Sequence, residues 1–60
     1  MIDIGDKIKR TRLKLGLTQE ELAARTELSK GFISQLERNL TSPSIATLID
    51  ILEALGTAVS

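Results

Sequence analysis

This sixty-residue chain contains no cysteine and no histidine, and its whole aromatic content is one phenylalanine, Phe32. Without cysteine there is neither a disulfide nor a thiolate metal site to staple the fold. Without histidine as well, zinc lacks its usual sulfur and nitrogen ligands, and no cofactor or metal is expected. Nucleophilic cysteine chemistry and histidine general-base chemistry are excluded outright. No apolar run approaches the ~20 residues that a membrane span needs. The opening Met1-Ile2-Asp3-Ile4-Gly5-Asp6 is too acidic, and too short in apolar stretch, for a secretory signal. A cytoplasmic protein is the expectation. An excess of charge is missing too, since eight basic residues balance eight acidic ones.

Sixty residues make one small domain. A chain this short buries only about 60 % of the surface that its unfolded form exposes, and ordering it costs on the order of 1.5 kcal/mol per residue. Nearly every Leu and Ile must help to form a single core. The neutral total argues against a nucleic-acid partner only until its distribution is read. Lys7, Lys9, Arg10, Arg12 and Lys14 fall together with no acidic residue among them, whereas from Gly31 onward Arg38 alone faces Glu37, Asp50 and Glu53. One end of the domain is basic and the other acidic. Positioning on phosphates needs a local patch, and a neutral total predicts weak binding by a monomer.

Helical periodicity runs through the chain, and no strand pattern, repeat or low-complexity segment interrupts it. Ile4, Ile8, Thr11, Arg12 and Leu15 share a face, which predicts helix 1 over about 5–15, stopped by Gly16. Thr18 caps helix 2 (about 19–26), and Glu21 three residues later completes a capping box. Leu22 and Ala23 face inward. Ser29 caps helix 3 (about 30–38), whose stripe is Ile33 and Leu36 with Phe32 beside it, and Asn39 ends it. A loop containing Pro43 leads to helix 4 (about 45–55), capped by Ser44 or by Ser42. Its stripe of Ile45, Leu48, Ile49, Leu52 and Leu55 is the strongest in the chain, and Gly56 closes it. The prediction is an all-α, compact bundle of four short helices over residues 1–60. The ending Thr57-Ala58-Val59-Ser60, with Ser60 poised as a cap, reads as the start of a longer protein.

Helices 2 and 3 are short, separately capped and joined by a tight turn. Helix 3 carries small and polar side chains on the face opposite Ile33 and Leu36, as a recognition helix does for the major groove. Lys30, Gly31, Ser34 and Gln35 occupy that face. Gln35 can bond adenine N6/N7 at two points, Ser34 suits either base type, and Lys30 reaches guanine or a phosphate. Gly31 sits near a helix start at about 1 kcal/mol of helix propensity, which close approach of backbone to DNA would explain. Taken alone, this face reads as an ordinary solvated one carrying an odd glycine. Phe32 reads as the fringe of the core, with contact to a thymine methyl as its other role. Arg10, Lys14, Asn39 and Ser42 are candidates for backbone phosphates, although basic residues on amphipathic helices often do no more than solvate a face. No catalytic constellation or phosphate-cradling glycine loop is present, and Glu20-Glu21 belong to a first helical turn where acids favour the dipole. The chain does not read as an enzyme.

Gly16-Leu17-Thr18-Gln19-Glu20-Glu21-Leu22-Ala23, Leu28-Ser29-Lys30, Ile33-Ser34-Gln35-Leu36-Glu37-Arg38, Pro43-Ser44, Leu48 and Ala54-Leu55-Gly56 together resemble the Cro/C1-type (XRE family) helix-turn-helix domain, over about residues 4–57. The resemblance implies a lambda-repressor-like fold and a bacterial or phage-type transcription regulator or repressor binding double-stranded DNA. Two copies on a near-palindromic site are implied, held together by regions beyond residue 60, since the family's fifth helix is absent or truncated here. The segment Ser29 to Glu37 is most similar to regulators that carry a C-terminal cupin sensor. The resemblance also implies that Gln19 meets a phosphate and supports the start of helix 3, where the residue pattern alone allows a solvated glutamine. It further implies that Arg12 and Glu37 pair as a structural tie. The alternative function is a protein-interaction module of the antitoxin type, gripping its partner through Leu13, Leu40 and Val59, which lie off the main stripes.

Overall fold

The computed structural model describes residues 3–56. Over these the chain forms α1 (Ile4–Lys14), α2 (Gln19–Thr26), α3 (Lys30–Glu37) and α4 (Ile45–Ala54), and no strand occurs among the described residues. Val59 and the expected cap Ser60 lie outside them.

Each helix opens on a side-chain oxygen that takes up an otherwise orphaned N–H. Asp3 caps α1 by accepting from the Asp6 N–H at 2.9 Å, so the helix begins at Ile4. Thr18 and Glu21 form both halves of the capping box: the threonine hydroxyl accepts from the Glu21 N–H at 3.0 Å, and the Glu21 carboxylate accepts from the Thr18 N–H at 2.8 Å. Ser29 caps α3, and Ser44 rather than Ser42 caps α4. The C-terminal ends use left-handed residues. After α1, Gly16 (φ 73°) lets the Leu17 N–H turn back to the Arg12 carbonyl at 3.0 Å. After α3, Asn39 (φ 59°) does the same, and the Leu40 N–H reaches the Gln35 carbonyl at 2.9 Å. After α2 the left-handed position falls on Glu27 (φ 59°), a residue with no special tolerance for it.

The core joins Ile8, Leu17, Leu22, Ala23, Ile33, Leu36, Ile51 and Leu55, with Ile4, Leu28, Phe32, Leu48 and Ala54 packed at its edge. α3 packs against α1 and α2, and α2 packs against α4. Two expectations about this core fail. Leu15, assigned to the inward face of helix 1, is half exposed, because the turn at Gly16 swings the chain and delivers Leu17 to the core instead. On α4, Ile45 is 80 % exposed and Ile49 50 %, while Ile51, outside the expected stripe, is fully buried. Helix 4 is apolar around most of its circumference, so periodicity did not single out the face that α2 covers. Ile51 and Leu55 are buried in the core, and Leu48 packs at its edge beside Ile4 and Leu36.

A glycine sets how closely α1 lies on α3. A Cβ at Gly5 would collide with the carbonyl oxygens of Leu36 and Glu37 and with the amide oxygen of Asn39. The approach is backbone to backbone. The Gly5 N–H donates to Asn39 Oδ1 at 3.2 Å, and Asn39 Nδ2 donates to Asp3 Oδ1 at 2.6 Å. The start of α1 is thereby clipped to the end of α3.

Candidate nucleic-acid interface

The connection from α2 to α3 is three residues long, Glu27 to Ser29. Ile33 and Leu36 are held in the core, and this orients the remainder of α3. Lys30, Gly31 and Gln35 are exposed on its outer side, Ser34 is half-buried, and Phe32 lies half-buried against the core. Space beside Gly31 is open: an added Cβ would meet only Ser29 Oγ, at 4.0 Å, and the residue does not occupy the left-handed region. The fold therefore has no need of glycine at this position. Lys30 Nζ stands 3.9 Å from Glu20 Oε1, with both side chains well exposed. An ion pair so exposed is worth little and is easily exchanged for another anion.

Behind this surface lies a buried polar network. The Arg12 guanidinium grips the Glu37 carboxylate at two points, Nε to Oε2 at 2.7 Å and Nη2 to Oε1 at 3.0 Å. Its Nη1 donates to the Leu17 carbonyl at 2.8 Å. Both residues are 6 % exposed, and no buried side-chain nitrogen or oxygen among the described residues lacks a partner. Gln19, in the first turn of α2, joins the network: its Nε2 donates to Glu37 Oε1 at 3.1 Å. The resemblance placed Gln19 at the start of helix 3; the structure ties it to the end of that helix.

The remaining candidates are scattered around the same assembly. Arg10 pairs with Asp6 at 2.8 Å on the outside of α1, where both groups are largely solvated. Lys14 is exposed at the end of α1. Asn39 is exposed, but its amide is engaged by Asp3 and Gly5. Ser42 is exposed in the loop before α4. Arg38, not among the candidates read from the sequence, is an exposed cation at the C-cap of α3. Its only sequence signal was its place after Glu37. The Asp3 carboxyl is held below its ordinary value by the Asn39 amide and then by the Asp6 N–H. The Glu21 carboxyl is lowered by the Thr18 N–H and then by the Thr18 hydroxyl. Among the described residues no group of acids could hold a metal ion, and no helix is long and apolar enough to cross a membrane.

A family model described as helix-turn-helix matches residues 8–60. The chain belongs to the Cro/C1-type helix-turn-helix family. Among curated proteins, this helix-turn-helix chain is 42 % identical over 53 residues to an uncharacterized HTH-type transcriptional regulator, y4dJ, of Sinorhizobium fredii, covering 88 % of this chain and 69 % of that protein. It is 39 % identical over 57 residues to the immunity repressor protein of Bacillus phage phi105, covering 95 % of this chain and 40 % of the repressor. It is equally identical over 57 residues to the HTH-type transcriptional regulator SinR of Bacillus subtilis, with coverages of 93 % and 51 %. The chain thus spans about half the length or less of the last two. Among solved structures, it superposes on a mutant of the restriction-modification controller protein C.Esp1396I with a TM-score of 0.88, 36 % identity, and coverage of 93 % of this chain and 73 % of that one.

Proposed function

We propose that this domain regulates transcription by binding double-stranded DNA with α3 in the major groove and α2 across the backbone. The observation that carries the reading is the outer face of α3. It presents Lys30, Gly31, Ser34 and Gln35 on a helix fixed from behind by Ile33, Leu36 and Glu37, and it includes a glycine for which the fold has no use. Those four residues read base edges. Gln19, Arg10, Lys14 and Ser42 position the domain on phosphates, Asn39 joins them through the one amide hydrogen that Asp3 does not take, and Arg38 is added to the set by its exposure.

Two copies act together on a near-palindromic site, joined by regions beyond residue 60, with a sensor domain in the full-length protein and work carried out in the cytoplasm. The greater length of the phage repressor and of SinR supports the view that this unit is carried within larger regulators. Alone, the domain binds at the non-specific level of roughly 10⁻⁴–10⁻⁶ M.

The test is an amide chemical-shift titration of the labelled chain with a mixed pool of short duplexes at low and at high salt. Shifts at Gln19 and over Lys30 to Gln35 that vanish at high salt are the expected result. No shift on α3 at low salt overturns the reading. A salt-insensitive response at the exposed Leu13 and Leu40 to a protein partner would instead favour an interaction module.

A further inference from the structure

The bond from Gln19 to Glu37 gives the buried carboxylate a task beyond holding α1 to α3. A carboxylate only accepts, so the Gln19 amide must turn its nitrogen, not its oxygen, toward Glu37. One hydrogen of Nε2 is committed to Oε1 at 3.1 Å. The other, directed about 120° away in the amide plane, can donate to a second acceptor. Gln19 is half-buried and lines a cleft with Leu13, Gly16, Glu20 and Lys30, between the turn after α1 and the start of α3. Glu37 itself cannot wander, because Arg12 holds both of its oxygens.

We infer that Glu37 is a positioning residue for DNA binding: through the Arg12–Glu37–Gln19 network it aims the second N–H of Gln19 at a backbone phosphate, in fixed register with the base-reading face of α3. The inference rests on the DNA reading above. The network spans α1, α2 and α3, one residue from each. A phosphate bound at Gln19 and a base bound by Lys30 or Gln35 are thereby held at one separation. Without Glu37 the Gln19 amide would be free to present its oxygen, which a phosphate repels.

The test is a double-mutant cycle using binding to an arbitrary twenty-base-pair duplex at low salt, since a phosphate contact carries no sequence information. Gln19→Ala is measured in the native chain and in an Arg12→Met/Glu37→Met background, which removes the pair without stranding either charge. In the native chain Gln19→Ala should weaken binding roughly tenfold or more, the worth of one hydrogen bond to a charged group. In the Met/Met background the same change should have almost no effect. Equal losses in both backgrounds overturn the inference. Native protein that binds no duplex at low salt overturns the DNA reading itself, a distinct result. Should the Met/Met chain fail to fold, the two side-chain amide protons of Gln19 decide in the native protein. The proton facing Glu37 should hold its shift while the other moves downfield as duplex is added. Movement of neither proton, or release of both, refutes the role.

Discussion

Replacing Glu37 by alanine should be among the most damaging single changes on the polar side of this domain. The structure supplies the reason and the scale. Arg12 is 6 % exposed, and two of its three bonding nitrogens are directed at Glu37; only Nη1 reaches elsewhere, to the Leu17 carbonyl. Glu37→Ala would strand a buried guanidinium, which costs about 3–5 kcal/mol. A sixty-residue chain holds on the order of 3–9 kcal/mol in all, so the variant should be close to unfolded at room temperature. Glu20→Ala is the control. It removes a carboxylate that stands 3.9 Å from Lys30 in solvent, and stability should change by less than about 0.5 kcal/mol. Arg12→Met/Glu37→Met should recover most of the loss, because the cost lies in the stranded charge rather than in the missing attraction. Urea unfolding followed by circular dichroism measures all three variants. Coincident curves for Glu37→Ala and Glu20→Ala would refute the reasoning about burial. A double variant as unstable as Glu37→Ala would show that the pair stabilises in its own right.

Three other expectations follow from the same structure. Gly31→Ala should leave stability unchanged or raise it by up to about 1 kcal/mol while weakening DNA binding, since the fold leaves the Cβ room; Gly5→Ala should instead destabilise by about 1–3 kcal/mol through its clash with the end of α3. Paired thermal melts and duplex titrations separate the two, and a stability loss at Gly31 would contradict the argument. Glu27→Gly relieves a left-handed residue after α2 and should stabilise by about 0.5–1 kcal/mol; a lower melting temperature would show that the glutamate makes up for its backbone elsewhere. Glu21 and Asp3 both have lowered carboxyl values, so their contribution is present above the ordinary carboxylate range and is lost as pH falls through the folded values. The gap in melting temperature between native protein and Glu21→Gln should therefore close on acidification below about pH 4, and parallel curves down to pH 2 would argue against it.

The parts of the fold that could be read in the sequence are those fixed by neighbours. A cap and its N–H lie three residues apart, so Thr18, Ser29 and Ser44 announce their helices, and a left-handed stop needs only its own Gly16 or Asn39. The failures sit where distant chain decides. Nothing near Ile51 marks it as the most deeply buried position of a largely apolar helix, and Leu15 loses its place to Leu17 only because the turn at Gly16 redirects the chain. The clip of Asp3 and Gly5 to Asn39 joins residues 36 and 34 positions apart, beyond any local pattern. Glu27 gave no signal because its side chain is wrong for the conformation it adopts. At the candidate interface, the polar face of α3 was legible from its spacing, and the Arg12–Glu37 pairing from family resemblance. The attachment of Gln19 to Glu37 was not, since it depends on how α2 crosses the end of α3.

A neutral domain meeting a polyanion needs its own account, and the pairing of its charges provides one. Arg10 has Asp6, Arg12 has Glu37, and Lys30 has Glu20. Only the Arg12 pair is buried; the other two are solvated and exchange at little cost. On DNA, Arg10 and Lys30 can trade a carboxylate for a phosphate or a base edge, but each trade leaves an acid facing the helix. Non-specific attraction is thereby reduced, while the uncharged hydrogen bonds to bases that we propose for Ser34 and Gln35 would be left intact. The ratio of specific to non-specific affinity, rather than affinity itself, is what such an arrangement favours. On this argument, neutralising Asp6 and Glu20 together should tighten binding to arbitrary duplex and steepen its salt dependence while lowering discrimination between sites.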